Sequence, residues 1–294
     1  MKLLAFARDA GGRRLGVLDG DLIVDITELH GEDPLAVDLA RLDLSGAPRV
    51  EVGAVRTLAP IQRPGKIICV GLNYHDHCRE QGIEPPPYPM LFSKFANAVA
   101  NPGDAVVRPR ATEKLDLECE LAVVIGRRAK SVRPTEAFEH VFGYTILNDV
   151  TMRDLQREDG QWLRAKGSDG FAPMGPVLVT RDEIADPQRL PVRSSVNGEK
   201  WQDSTTAEMV FDVATIVAFA SRTITLEPGD VIATGTPAGV GQYQDPPRYL
   251  KDGDEMRCEI EGIGVLENHV VDEAPRTDDH EAAAGVAGLL GLTR

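Results

Sequence analysis

No stretch of this 294-residue chain approaches the roughly 20 consecutive apolar residues that a membrane-spanning helix requires. Its opening, MKLLAFARDAGG, has an apolar run too short for a signal-peptide core, with charges directly after it. Cysteine is scarce: Cys69, Cys78, Cys119 and Cys258 form no C-x-x-C pair, which excludes a zinc knuckle and a dithiol redox motif. They read as free thiols of a cytoplasmic protein, and Cys69 and Cys119, inside apolar runs, read as core. Basic residues are also in deficit, 32 Lys and Arg against 46 Asp and Glu, for a net charge of -14. Nucleic acid is therefore excluded as a main partner, because phosphate binding needs clustered cations. The densest basic cluster, Arg127, Arg128 and Lys130, reads as a solvated turn.

What remains is ordinary globular composition, 42% hydrophobic and 27% charged, with no internal repeat. KLLAFAR, RLGVLDG and LIVDIT read as short strands between Gly and Asp turns, followed by a weakly helical polar stretch. This predicts a small N-terminal domain over 1–62, joined through the proline-bearing LAPIQRPGK to a main domain over 63–272. Residues 273–294 read as a loosely held tail. In the main domain KIICVGLNY predicts a strand ending at Gly71, and HDHCREQG predicts a helix stopped at Gly82. GIEPPPYPM is too proline-rich for regular structure. PTEAFEHVFGYTILND predicts a helix capped by Thr135 and running into a strand, and TTAEMVFDVATIVAFASRTITL predicts a longer helix. Strands outnumber helices without regular βα alternation, so the fold class is α+β, β-dominated.

The stretch LDLECELAVVIG is an apolar strand with Asp116, Glu118 and Glu120 on one face and Leu117, Cys119, Leu121, Val123 and Ile125 on the other. Glu118 and Glu120 stand about 6–7 Å apart at Cα, so their carboxylates can converge on one ion. Asp149, ending the apolar run before it, offers a third oxygen. With no imidazole or thiolate on that face, the set favours Mg²⁺, Mn²⁺ or Ca²⁺ over zinc. Asp116, nearest the strand start, is not counted as a ligand. The competing reading is a solvent-facing edge strand whose acids meet Lys114 or Arg108.

Three further stretches carry candidate chemistry. In GLNYHDHCRE, His77 and Glu80 at i,i+3 would sit side by side on a helical turn, where the carboxylate can orient the imidazole as a base. A surface ion pair is the competing reading, and His75 is a rival histidine. In RAKGSDGFAPMGP, Lys166 could neutralise a substrate carboxylate or enolate, or be an ordinary surface lysine. TGTPAGVG lacks the Lys-Ser or Lys-Thr of a phosphate loop, yet its backbone can still present N–H groups to a carboxylate.

In this order, CVGLNYHDHCRE, FSKFANAV, LDLECELAVVIG, NDVTMRDLQ, KGSDGFAPMGP and GDVIATGTPAGVG resemble the fumarylacetoacetate hydrolase family from about Lys66 to Val271. Within it, HCREQGIEPPPYPMLFSKFA and PMGPVLVT are most similar to the fumarylacetoacetate hydrolase domain-containing protein 2 group. The resemblance implies a β-sandwich roll, usually dimeric, with Mg²⁺ or Mn²⁺ held by Glu118, Glu120 and Asp149. It implies His77 and Glu80 as a water-activating dyad on a segment that orders as a lid, and Lys166 as the active-site lysine. Arg153, Gln156 and Thr236 match substrate-site positions. KGSDGF departs from the family, with Gly-Ser where many members have a hydroxyl residue and Phe. The implied activity is hydrolytic C–C cleavage of a 2,4-diketo acid of the acylpyruvate type. Oxaloacetate decarboxylation or tautomerisation, and isomerisation of an unsaturated dicarboxylic keto acid, are the enzymatic alternatives. A non-catalytic, metal-stabilised binding protein is the reading from a different class.

Overall fold

Short apolar runs punctuated by Gly and Asp turns account for the first strands, β1 (Lys2–Ala7), β2 (Arg13–Asp19) and β3 (Leu22–Asp25). A single-turn helix α1 (Thr27–His30) and two short strands, β4 (Arg49–Glu51) and β5 (Arg56–Leu58), complete this part. The computed structural model describes residues 1–8 and 11–274, so the expected tail from residue 275 onward lies outside the described residues.

The main body continues with β6 (Ile67–Gly71), helix α2 (His75–Gln81), β7 (Met90–Lys94), β8 (Val99–Ala100) and β9 (Ala105–Arg108). Then come β10 (Leu115–Asp116), β11 (Cys119–Ile125), β12 (Val141–Asn148), β13 (Thr151–Met152), and helices α3 (Arg153–Glu158) and α4 (Leu163–Lys166). The rest is β14 (Ala172–Thr180), β15 (Pro191–Val196), β16 (Glu199–Thr205), helix α5 (Val213–Thr223), β17 (Val231–Ala233), β18 (Glu255–Ile260) and β19 (Gly264–Asp272). As expected, α2 stops at Gly82, which is left-handed at φ 66°.

One large sheet runs β4-β3-β2-β1-β14-β12-β11-β17-β6-β7, with β5 on β1 and β8 on β14. The N-terminal strands thus join the main body through antiparallel pairing of β1 with β14. A five-stranded sheet, β16-β15-β18-β19-β9, packs across it, giving the β-dominated sandwich. Between the sheets Leu117, Cys119, Leu121, Val123 and Ile125 form one cluster with Val192, Cys258, Ile260 and Val270. Ala122 and Val124 face the opposite way, into a second cluster with Leu147, Leu178 and Val231. The predicted alternation holds, and each fully buried aliphatic side chain contributes about 1.5–3 kcal/mol.

Two local expectations change. Thr135 does not cap a helix: Pro134–His140 is a 3-10 stretch opened by Arg133, whose backbone N–H donates to Glu136 Oε2 at 3.1 Å. The longer predicted helix begins only at Val213, where Asp212 accepts from the Thr215 N–H at 2.7 Å. Among the described residues no helix is long and apolar enough to cross a membrane.

Candidate active site

Pairing of β11 with β12 sets Cys119 opposite Asn148, so the residues just outside that pair, Glu118 and Asp149, meet at the same end of the two strands. The Asp149 N–H donates to Glu118 O at 2.9 Å, and Asn148 Oδ1 accepts from the Glu118 N–H at 3.1 Å. Glu118, Glu120 and Asp149, all buried, each place an oxygen within 4.8 Å of the others. The edge-strand reading fails because β11 lies between β12 and β17, and Arg108 pairs with Asp272 instead. LDLECEL is also not one strand. It breaks between Asp116 and Cys119, which separates Asp116 from the acid cluster.

Two buried lysines hold this cluster. Lys166 Nζ donates to Glu118 Oε2 (2.9 Å), Asp149 Oδ2 (2.9 Å) and Thr151 Oγ1 (2.8 Å), using all three of its protons. Lys94 Nζ gives its protons to the carbonyls of Val150, Lys166 and Phe171. It stands 2.6 Å from Asp149 Oδ1, yet that oxygen receives no hydrogen bond. Burial alone would push the Glu118 carboxyl up, but Lys166 and Arg153 outweigh it and hold it at about 2. Lys166 is desolvated too, but Asp149 and Glu118 raise it above the ordinary lysine value, so it stays an ammonium. Glu120 is the exception. Burial, then the charges of Asp149 and Glu118, drive its carboxyl well above the ordinary range, and its one protein bond is from the Gly235 N–H at 2.8 Å. An all-oxygen set with an Asp149 oxygen that accepts no hydrogen bond and a Glu120 that forms no ion pair among the described residues fits a hard divalent ion.

Asp116, set aside as a ligand, has a structural task. The ladder of β10 with β13 brings it beside Arg153, whose Nε donates to Asp116 Oδ2 at 2.8 Å. Arg153 also contacts Glu118 Oε1 at 2.7 Å and donates to Gln156 Oε1 at 3.2 Å, while its Nη2 is buried without a partner. Asp116 further accepts from the N–H groups of Gly241 (2.9 Å) and Gln242 (3.0 Å), tying the glycine-rich segment to the strand pair. Only glycine fits at 241, since a Cβ there would lie 2.1 Å from Arg248 O.

On α2 the dyad is formed. His77 Nδ1 lies 2.5 Å from Glu80 Oε1, and Glu80 Oε2 accepts from the Gly239 N–H at 2.9 Å. Gln81 Nε2 is 2.7 Å from His77 Nε2, an arrangement that puts the proton on Nδ1 and the lone pair on Nε2. His77 is buried and lines the cavity, whereas His75 is exposed. Thr236 lines the site, but its hydroxyl donates to Cys119 O (3.1 Å) and accepts from Gln202 (2.7 Å). Gln156 lines it too, oriented toward Arg153.

These groups enclose a cavity of about 230 Å³. One wall is apolar, with Val70, Leu72, Phe92 and Trp162, the last two edge-to-face at 5.2 Å. Sequence reasoning assigned no role to Lys94, Gln81, Trp162, Gln202 or Tyr243. Only Lys94 carried a usable signal, a lysine closing the apolar run MLFSK.

Similar proteins were found both by sequence and by structure. Oxaloacetate tautomerase FAHD2A, mitochondrial, from Bos taurus is 47% identical over 82% of this chain and 77% of its own length. The Homo sapiens protein of the same name is 45% identical over 87% of this chain and 83% of its own length. A solved fumarylacetoacetate hydrolase from psychrophilic Exiguobacterium antarcticum superposes with TM-score 0.85 at 44% identity, covering 93% of this chain and all of that one. A 2-hydroxyhepta-2,4-diene-1,7-dioate isomerase from Mycobacterium marinum gives TM-score 0.79 at 37% identity, covering 94% of this chain and all of that one. With residues 66–271 matching the model described as fumarylacetoacetate (FAA) hydrolase C-terminal, this chain belongs to the fumarylacetoacetate hydrolase family of enzymes.

Proposed function

We propose that the chain is a divalent-metal-dependent enzyme acting on 2-oxo acids through their enolates, and that keto–enol tautomerisation of oxaloacetate is its reaction. The observation that carries this reading is a base lone pair on His77 Nε2 in the same small cavity as a fixed ammonium and a buried guanidinium. The activity after which the relatives at 45–47% identity are named supports the choice of oxaloacetate.

Glu118, Glu120 and Asp149 would hold Mg²⁺ or Mn²⁺, with Ca²⁺ as a possible substitute, and the ion would supply Lewis acidity toward the 2-oxo acid. His77, oriented by Glu80, removes a proton from C3, and the C–H electron pair moves into a C2–C3 double bond with charge on the 2-oxygen. Lys166 and Arg153 keep that developing oxyanion in a positive field. Solvent then protonates the 2-oxygen to give the enol and takes the abstracted proton from His77; in the reverse direction the enol loses its O–H proton to solvent, and His77 delivers a proton to C3. Lys166 acts by charge alone, because its protons are committed to Glu118, Asp149 and Thr151.

Hydrolytic cleavage of an acylpyruvate is a second reading. It is favoured by the apolar wall of Phe92 and Trp162, which suits an acyl group, and by the fumarylacetoacetate hydrolase likeness. There His77 would deprotonate water, and the same cations would receive a pyruvate enolate as leaving group. Product analysis with Mg²⁺ or Mn²⁺ separates the two. Faster loss of oxaloacetate enol without pyruvate supports tautomerisation, pyruvate plus carbon dioxide indicates decarboxylation, and pyruvate plus acid from an acylpyruvate indicates hydrolysis.

A further inference from the structure

We infer that Arg157, at the cavity mouth, selects substrates carrying a second carboxylate at the end remote from the 2-oxo group. The inference rests on the 2-oxo-acid reading above and extends it to the distal end of the substrate. Three cations line the cavity, and two are committed: Lys166 to Glu118 and Asp149, Arg153 to Asp116 and Glu118. Arg157 is exposed, and among the described residues no ion pair or hydrogen bond engages its side chain. Of the acids near it in sequence, Glu158 is exposed and forms no ion pair with it, and the other two are taken elsewhere. Asp154 accepts from Thr112 (2.6 Å) and the Glu113 N–H (2.9 Å), and Asp159 pairs with Arg164.

Placement follows from the helix. Arg153 and Arg157 are one turn apart on α3, about 6 Å along its axis. The inner guanidinium offers a buried, unpartnered Nη2, and the outer one is a free cation at the rim. A short dicarboxylic 2-oxo acid can reach from the first to the second. Among the described residues no other Lys or Arg lining the cavity lacks an acidic partner. The apolar part of the lining is Val70, Leu72, Phe92 and Trp162, and the Tyr243 hydroxyl already donates to Gln81 Oε1 at 3.1 Å. An unpaired arginine in a chain of net charge -14 also draws anions to an entrance they would otherwise avoid.

The test compares wild type with Arg157→Gln and Arg157→Lys in the presence of Mg²⁺. In Arg157→Gln the KM for oxaloacetate should rise about tenfold, roughly 1.4 kcal/mol of lost binding, with kcat within about twofold. A binding arm independent of turnover uses calorimetry with 2-oxoglutarate and 2-oxopentanoate, which differ only in the distal carboxylate. Wild type should prefer 2-oxoglutarate, Arg157→Gln should lose that preference, and Arg157→Lys should retain most of it because the charge survives. The wild-type preference should shrink with added salt, as expected for an exposed pair. Equal weakening of both ligands in Arg157→Gln, an unchanged preference, or no preference in wild type overturns the inference. Wild type that binds selectively but leaves oxaloacetate enol untouched overturns the tautomerase reading alone.

Discussion

At and beneath the cavity floor four buried acids, Asp116, Glu118, Glu120 and Asp149, meet three buried cations, Lys94, Arg153 and Lys166, carried by β7, β10, β11 and the residues flanking them, the end of β12, and helices α3 and α4. Along the rim, Glu80, Gln81, Arg157 and Tyr243 are partly or wholly exposed and sit on short helices or in the glycine-rich segment. The difference follows from solvent. Charges removed from water need fixed partners, so the floor is saturated with ion pairs and one site is left over for an added cation. The rim keeps water as a partner and can change residues without unfolding the protein. On the proposed function, chemistry falls to the floor together with His77 and Glu80, and substrate choice to Arg157 at the rim.

The contrast breaks most readily at Lys94. Lys94→Met strands three carbonyls and removes a countercharge from Asp149, so it should cost about 3–5 kcal/mol in urea unfolding. A loss under about 1 kcal/mol would mean that the floor is not held by its ion pairs. Next comes His77→Ala, which should lower kcat by about 10²–10⁴ while leaving Mn²⁺ affinity and the unfolding midpoint near wild type. Unchanged turnover would remove the dyad from the mechanism.

Asp116→Asn should act on both regions at once. It weakens the hold on Arg153 and on the Gly241–Gln242 backbone, so kcat/KM should fall about tenfold alongside a stability loss of about 1–3 kcal/mol. Loss of stability with kinetics untouched would separate Asp116 from the site. The smallest effect is expected away from the cavity, at Asp25. Burial pushes its carboxyl up, but hydrogen bonds from Arg14 and Thr27 outweigh it and keep it below the ordinary value. A lowered folded pKa contributes stability that is present above the unfolded value and lost as pH falls through the folded one. Wild type should therefore lose more of its urea midpoint than Asp25→Asn does between pH 6 and pH 3, with steady-state kinetics at neutral pH alike in the two proteins.

The sequence carried much of this because period-2 alternation is a local property. LECELAVVI shows which residues face the sandwich interior, and Gly71 and Gly82 mark the ends of a strand and a helix. The convergence of Glu118 with Glu120 was readable for the same reason. The partners of those acids were not, since Lys94, Arg153 and Lys166 arrive from three separate elements through long-range pairing. Asp116 looked like a weak third acid because its strand break at Leu117–Glu118 has no Gly or Pro to announce it. Thr135 looked like a cap because Ser and Thr often are, yet Pro134 can occupy the first position of a 3-10 turn without a hydroxyl before it. Gln202 is invisible from sequence. It matters only because β16 brings it under Thr236 and the Cys119 N–H.

The claim that the floor is built for an added cation is tested most directly by Mn²⁺ titration and metal-free urea unfolding of wild type and Glu120→Gln. Glu120 is buried against two acids and, among the described residues, forms no ion pair; the charge of Lys166 offsets only part of their repulsion. Wild type should bind one Mn²⁺ per chain. Glu120→Gln should bind it far more weakly, yet be more stable than wild type without metal, because the cost of burying that carboxyl, charged or newly protonated, is gone. Equal Mn²⁺ affinity in the two proteins, or a metal-free variant less stable than wild type, would contradict the account.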